Sequence, residues 1–414
     1  MIKKILNSKN HKLISNFSYL SILQLSNLLI PIITYPLLIK RLGGDSYGKV
    51  VFAQAIMAYF AIIVSFGFNI IGTKEVSIHR NNITKLSKIV SSIFQVKFFL
   101  FFFSIIIMLV YILIFDVPKK EIELYFFSIW VCLNEFLFPT WYFQGLEKMK
   151  NIAIISIINK LLVLFCIVVF IKKENDYILV PLINLIGVGV SCIIGLYYLR
   201  KDNIKFRLQS NISMLHYIKK SYVMALSFSV NTIKTNLNII LAKYFFTYSA
   251  VAYFDLALKI VNIFISFLDI ISQSIYPKMS ITKDKIFLNK ILKFSLAVSL
   301  ILMLAVQISS GLLIRLLGGE KMIDSINILR ILAIVFPIYI MGALLGRNAL
   351  IIYGHNSSVL KSMIYSGIFY VLFIFVFYYF LKINSLQLIS ISFVLSFLVE
   401  TIYRYKECKK FKII

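Results

Sequence analysis

Residues Ser227–Leu241 read SFSVNTIKTNLNIIL and lie between YVMAL and AKYFF. A lysine, three asparagines and two threonines stand inside a run otherwise apolar enough to cross a bilayer. On a helix, at about 100° per residue, Ser227, Asn231, Lys234 and Asn238 share one narrow stripe, with Thr235 at its edge and Asn236 opposite. A charge facing lipid at mid-membrane costs about 3 kcal/mol, so the stripe is predicted to face other helices or a watery cavity. For the asparagines, hydrogen bonding between helices and cavity lining are equally good readings. For Lys234, several turns from the cytoplasmic end of its run, the cavity reading is preferred.

The surroundings of this stretch give the class. The 414 residues are 60% hydrophobic and only 15% charged, with a mean hydropathy of +0.89. Soluble domains stay near about 50% apolar and 25% charged. Apolar runs of spanning length recur along the chain at 13–39, 50–72, 90–115, 122–143, 152–171, 178–199, 217–241, 250–275, 290–316, 325–347, 357–381 and 386–404. The expectation is an all-α polytopic membrane protein of twelve transmembrane helices joined by short loops. The first run follows a basic start, contains Pro31 and lacks a small-residue cleavage site, so it reads as a span rather than a signal peptide.

The net charge of +27 is spread over many short loops, which is topogenic charge rather than a nucleic-acid surface. Leaving aside five of the 44 Lys and Arg that lie inside spans, the two tails and the even loops carry 28, against 11 in the odd loops. That bias places both termini in the cytoplasm. The basic segment RKDNIKFRLQSNISMLHYIKK then divides the chain into lobes of six helices, 1–208 and 209–414, related as a parallel repeat. At an offset of 204, Asn27, Pro31 and Thr34 fall on Asn231, Thr235 and Asn238, and GKVVFAQ falls on AYFDLAL.

Other buried charges are candidates for chemistry. Lys160 lies mid-span and cannot snorkel, whereas Lys97 and Arg330 lie close enough to span ends to do so. Lys259 follows Asp255 by four residues, which suits a local ion pair and a substrate contact equally. Glu135 is the deepest carboxylate, and Pro139 removes the amide that would bond its carbonyl. Ion coupling and neutralisation of a buried lysine both fit Glu135; Asp269 is a weaker candidate. The four cysteines form no paired motif and the four histidines are scattered, so no metal or cofactor is expected. LLGGEK lacks the ending of a phosphate loop, so nucleotide hydrolysis is not expected.

Three stretches carry a resemblance: RLGGDSYGKVVFAQAIMAYFAIIVSFGFNIIGTKEVSIHR (41–80), FPTWYFQGLEKM (138–149) and SAVAYFDLALKI (249–260). Together they resemble the Wzx-type flippases of O-antigen and capsule synthesis. These form the polysaccharide branch of the multidrug/oligosaccharidyl-lipid/polysaccharide exporter superfamily. The resemblance implies two six-helix lobes around a central cavity in the bacterial inner membrane. It implies a cargo of undecaprenyl-diphosphate-linked oligosaccharide, a proton or sodium gradient as driving force, and a glycan polymerase of the same pathway as a partner. Lys234, Lys160, Lys259, Asn27, Asn231 and Asn238 are the candidate cargo contacts; Glu135 and Asp255 are the candidates for coupling. An excess of buried cations over acids suits anionic cargo rather than cationic drugs, the alternative on the same fold. The odd loops are too short for the catalytic loop expected of a polymerase or lipid-linked glycosyltransferase.

Single cysteines at Ser46, Asn175 and Ser385 are expected to label from outside with an impermeant thiol reagent. Those at Asn81, Asn211 and Lys410 are expected to stay protected in intact cells, and labelling at Asn211 would overturn the orientation.

Overall fold

The computed structural model describes residues 2–380, 382 and 385–414. Side chains are described from Ser18 onward, apart from Leu20, Val223, Met224, Ser227, Phe228, Val230, Asn231, Thr235, Pro277 and Phe380. The expectations for Ser227, Asn231 and Thr235 therefore lie outside the described side chains.

Fifteen α-helices make up the described chain. They are α1 (Ile2–Ser65), α2 (Phe68–Ile78), α3 (Ile83–Ile114), α4 (Lys119–Ser128), α5 (Trp130–Leu137), α6 (Thr140–Gly145), α7 (Met149–Phe170) and α8 (Leu179–Lys201). There follow α9 (Asn211–Phe245), α10 (Tyr248–Thr282), α11 (Lys285–Gly318), α12 (Ser325–Ala333), α13 (Val335–Ala343), α14 (Asn356–Phe375) and α15 (Leu386–Lys410). Every expected span falls largely on helix among the described residues. Among the described residues nine helical stretches are long and apolar enough to cross a membrane, one of them, Ser21–Ile78, taking in the second expected span and most of the first. The helices α9 and α10, of 35 residues each, are also long enough to cross one. The protein is an all-helical, multi-pass membrane protein.

Local chemistry sets the breaks. Gly43, at φ 72°, interrupts α1, and Gly67, at φ 71°, makes the turn into α2 after Phe66. Asn82, Thr247 and Asp284 cap α3, α10 and α11 by accepting hydrogen bonds from backbone amides three residues on. Pro139 separates α5 from α6, as its missing amide predicts. Residues Leu344–Ile351 after α13 wind as a π-helix.

The chain forms two compact units, Met1–Leu42 with Ala53–Thr232, and Gly43–Phe52 with Ile233–Ile414. In the first unit the helix opened by Gly67 locks against α6. A Cβ on Gly72 would meet the Trp141 ring at 2.7 Å, and one on Gly145 would meet Val76 at 2.7 Å. The Thr73 hydroxyl donates to the Trp141 carbonyl at 3.3 Å. Two of the stretches carrying the family resemblance are thus one packing joint. In the second unit Gly48 lies against the Tyr248 carbonyl, so close that its Cβ position falls 1.8 Å from that oxygen. Phe52 meets the Tyr248 ring edge-on at 5.9 Å.

This packing corrects one topology probe. Ser46 is only 5% exposed, so a cysteine there is shielded by protein, and the neighbouring exposed Asp45 is the usable position.

Overpacking a tight joint costs about 1–3 kcal/mol. Gly72→Val is expected to lower membrane abundance and detergent thermostability, whereas Gly189→Val, with nothing within 4 Å of its Cβ position, should leave both unchanged. Equal behaviour of the two variants would contradict the joint.

Candidate functional site

In the first unit the functional candidates gather on α1, α3, α5 and α7. The carbonyl that Pro139 deprives of its amide belongs to Glu135, and the Lys97 ammonium donates to it at 2.6 Å. Lys97 is 1% exposed, which corrects the snorkelling expectation. Proximity to a span end says nothing about an acceptor waiting at the same depth. The Glu135 carboxylate is half-buried and accepts a hydrogen bond from the Asn69 amide at 3.2 Å. Glu135 and Asn69 face a cavity of about 310 Å³ together with Trp130, Asn134, Ser65 and Thr232. Polar amides and hydroxyls around one carboxylate inside an apolar span can hold a proton or a small cation, or hydrogen-bond a polar cargo.

Lys160 and Asn27, both named from sequence, are brought together: the half-buried Lys160 ammonium donates to the Asn27 side-chain oxygen. Among the described residues Lys160 takes part in no ion pair, so an amide dipole is the only answer to its charge.

In the second unit the buried charge of Lys234 is answered by an acid. Lys234 is 3% exposed and its ammonium lies 2.9 Å from Glu400 and 3.9 Å from the centre of the Phe397 ring. Arg404 holds the other carboxylate oxygen of Glu400 at 2.5 Å and donates to the Gly342 carbonyl at 2.9 Å. Gly342 and Gly346, one turn apart, leave room for the guanidinium. Helices α14 and α15 meet along a polar ladder with a repeat of four residues. Ser358 donates to Glu407 at 2.6 Å, Ser362 accepts from Arg404 at 3.0 Å, and Ser366 donates to Glu400 at 3.4 Å. One turn further, the Tyr370 hydroxyl donates to the Asn238 side-chain oxygen at 2.5 Å. Asn238 is fully buried. The cavity expectation for Lys234 and Asn238 is therefore not met in this conformation: an acid 166 residues away claims the lysine, and the asparagine serves contact between helices.

Lys259 and Asp255 form the local ion pair, at 2.6 Å, and the Tyr47 hydroxyl completes a triad. Tyr47 donates to Asp255 at 2.7 Å and accepts from Lys259 at 2.6 Å. Asp269 is held by Arg347 of the π-helix at 2.9 Å. Arg330 is exposed and donates to the Ser310 hydroxyl at 2.9 Å.

Sequence reading missed Glu400, Arg404, Tyr47, Asn69 and Arg347. The spacing of Glu400 and Arg404 by four, facing serines at 358, 362 and 366, is the signal that finds the ladder.

Breaking a buried ion pair costs about 3–5 kcal/mol because it strands the remaining charge. Lys234→Met leaves Glu400 with Arg404, but Glu400→Gln leaves two cations without an anion. Thermal unfolding in detergent is expected to rank Glu400→Gln as the more damaging variant; the reverse order would contradict the network.

Comparison with known proteins places this architecture. Residues 13–283 match the family model described as polysaccharide biosynthesis protein. The Escherichia coli (strain K12) protein named "Putative O-antigen transporter" is 24% identical over 385 residues, 89% of this chain and 91% of that protein. A protein of the same name from Shigella dysenteriae is 29% identical over 266 residues, 62% of this chain and 64% of that protein. Among solved structures, the lipid II flippase MurJ in an inward closed conformation matches with a TM-score of 0.73 at 15% identity, over 94% of this chain and 87% of that one. An inward-facing multidrug resistance MATE family transporter of the MOP superfamily gives 0.70 at 13% identity, over 96% and 98%. These structural matches establish a shared fold, and the family model spans well over half the sequence. The chain belongs to the polysaccharide biosynthesis protein family.

Proposed function

We propose that this protein is a flippase. Its cargo is an undecaprenyl-diphosphate-linked oligosaccharide repeat unit, carried from the cytoplasmic to the periplasmic leaflet of a bacterial inner membrane by ion-coupled alternating access. Family membership and O-antigen transporter relatives along most of the chain support the cargo class. In this reading twelve spans in two lobes of six carry the transport, both termini face the cytoplasm, and a glycan polymerase of the same pathway consumes the product.

The observation that carries the assignment is Lys160. It is a cation inside a span, partnered by the Asn27 amide and by no acid among the described residues. A lipid diphosphate bears negative charge through a low-dielectric slab, and a cation held only by a neutral dipole can be shared with it at little cost. Lys234 and Lys259 already have acids, so in this conformation they position helices; Asp255 belongs to the Tyr47 triad. Glu135, in its amide-lined cavity, is the proposed coupling site.

Deletion in the native host is expected to build up completed lipid-linked units at the cytoplasmic leaflet and to remove surface glycan; unchanged pools would reject the proposal. In that strain, Lys160→Ala at normal abundance should restore little glycan and Lys160→Arg a part of it. Full restoration by Lys160→Ala would remove the cargo role. Transport should survive ATP depletion while an ion gradient is maintained and collapse with an ionophore. Glu135→Gln is expected to flatten the pH dependence of transport without loss of protein, and an unchanged profile would leave Glu135 a purely structural partner.

A further inference from the structure

The first unit holds another cavity, of about 480 Å³, at one end of the α7 and α8 pair. These helices pack closely: a Cβ on Gly187 would sit 2.3 Å from the Asn159 side-chain oxygen. The cavity is lined where α7 begins, by Lys148 and Lys150, and where α8 ends, by Tyr198, Lys201 and Asp202, with Tyr19 of α1 alongside. Both helices are span-length apolar stretches, so their ends lie at the depth of lipid headgroups rather than acyl chains.

The charges in this cavity do not cancel. Asp202 is claimed by the Lys148 ammonium at 2.5 and 2.6 Å and by the Tyr142 hydroxyl at 3.0 Å. Glu147, the other acid of the lining, is paired with Arg80 at 3.4 Å. Lys150 and Lys201 remain, both exposed, and among the described residues neither takes part in an ion pair. Two uncommitted ammonium groups and two phenols thus share one concave surface at the membrane boundary. Along the same helices, inward from the lysines, the surface becomes apolar: Ile154 is 38% exposed, and Tyr197 and Ile193 are 60% and 69% exposed.

We propose that this cavity binds the phosphate of an anionic phospholipid. Lys150 and Lys201 offset its charge, Tyr19 and Tyr198 donate to its oxygens, and the acyl chains run along Ile154 and Ile193. Free phosphate offers the same oxygens, but the apolar strip beneath the lysines fits a lipid. Basic pockets between spans on the cytoplasmic side are suited to anionic headgroups, and the loop-charge bias assigns this end to the cytoplasm. The site is separate from the Glu135 cavity and does not depend on the identity of the cargo.

The test uses the full-length protein, purified and delipidated in detergent, with lipid retention read by native mass spectrometry. Phosphatidylglycerol should be retained over phosphatidylethanolamine. Lys150→Gln with Lys201→Gln should lower that retention roughly thirty-fold, taking about 1 kcal/mol for each lysine near the surface. Lys119→Gln with Lys120→Gln removes the same charge outside this cavity and should change nothing. Millimolar inorganic phosphate should not displace the lipid. Equal retention of the two lipids, retention surviving in the cavity variant, or equal loss in the control variant would each overturn the site. Displacement by inorganic phosphate would overturn the lipid assignment in favour of a free anion.

Discussion

A charge or an unbonded carbonyl inside an apolar span has no water to turn to, so another part of the protein must answer it. That constraint organises both units. In the first, Pro139 frees the Glu135 carbonyl, and the Lys97 ammonium fills the vacancy from a different helix. The break between α5 and α6 and the burial of a lysine are therefore one event: each group would be costly alone, and each removes the cost of the other. In the second unit Glu400 stands between Lys234 and Arg404, and the polar ladder of α14 and α15 continues the same logic turn by turn. The ladder also joins distant parts of the chain, since α9 is pinned to α15 through the lysine and to α14 through Asn238.

The same constraint sorts the intramembrane cations by what they are free to do. Lys97, Lys234, Lys259, Arg347 and Arg404 each have an acid or a carbonyl within hydrogen-bond distance, and they hold helices together. Lys160 has an amide side chain. An amide offers a dipole but no charge, so this lysine keeps most of its capacity to attract an anion. Transport of anionic cargo needs attraction that is moderate and reversible, and a cation on a neutral partner meets that need better than one locked in a buried ion pair.

Much of the fold was legible in the sequence because it depends on local pattern. The apolar runs located the helices, Pro139 marked the break, and the spacing of Asp255 and Lys259 set out their ion pair. The packing of Trp141 on Gly72 makes one joint of two stretches that carry the resemblance. The partners of buried charges were harder to read. Lys234 looked available because Glu400 lies on the last helix, and no local signal joins them. Lys97 reads as a snorkelling residue because depth along a span is visible in a sequence, whereas the neighbour at that depth is not. Tyr47 gave no sign of its role, since a tyrosine near a span end usually marks the interface. Asn27 and Lys160 were both singled out, but only the fold brought them together.

The most direct measurement is flipping itself. Proteoliposomes would carry the purified protein and the lipid-linked oligosaccharide extracted from its native host, with an impermeant glycan-modifying reagent outside. If the protein is a flippase, the reagent reaches oligosaccharide that began in the inner leaflet, at a rate that depends on an imposed ion gradient and is lost with Lys160→Ala. If the inner-leaflet pool stays protected at the same level as in protein-free vesicles, the account of this chain as a lipid-linked glycan flippase is contradicted.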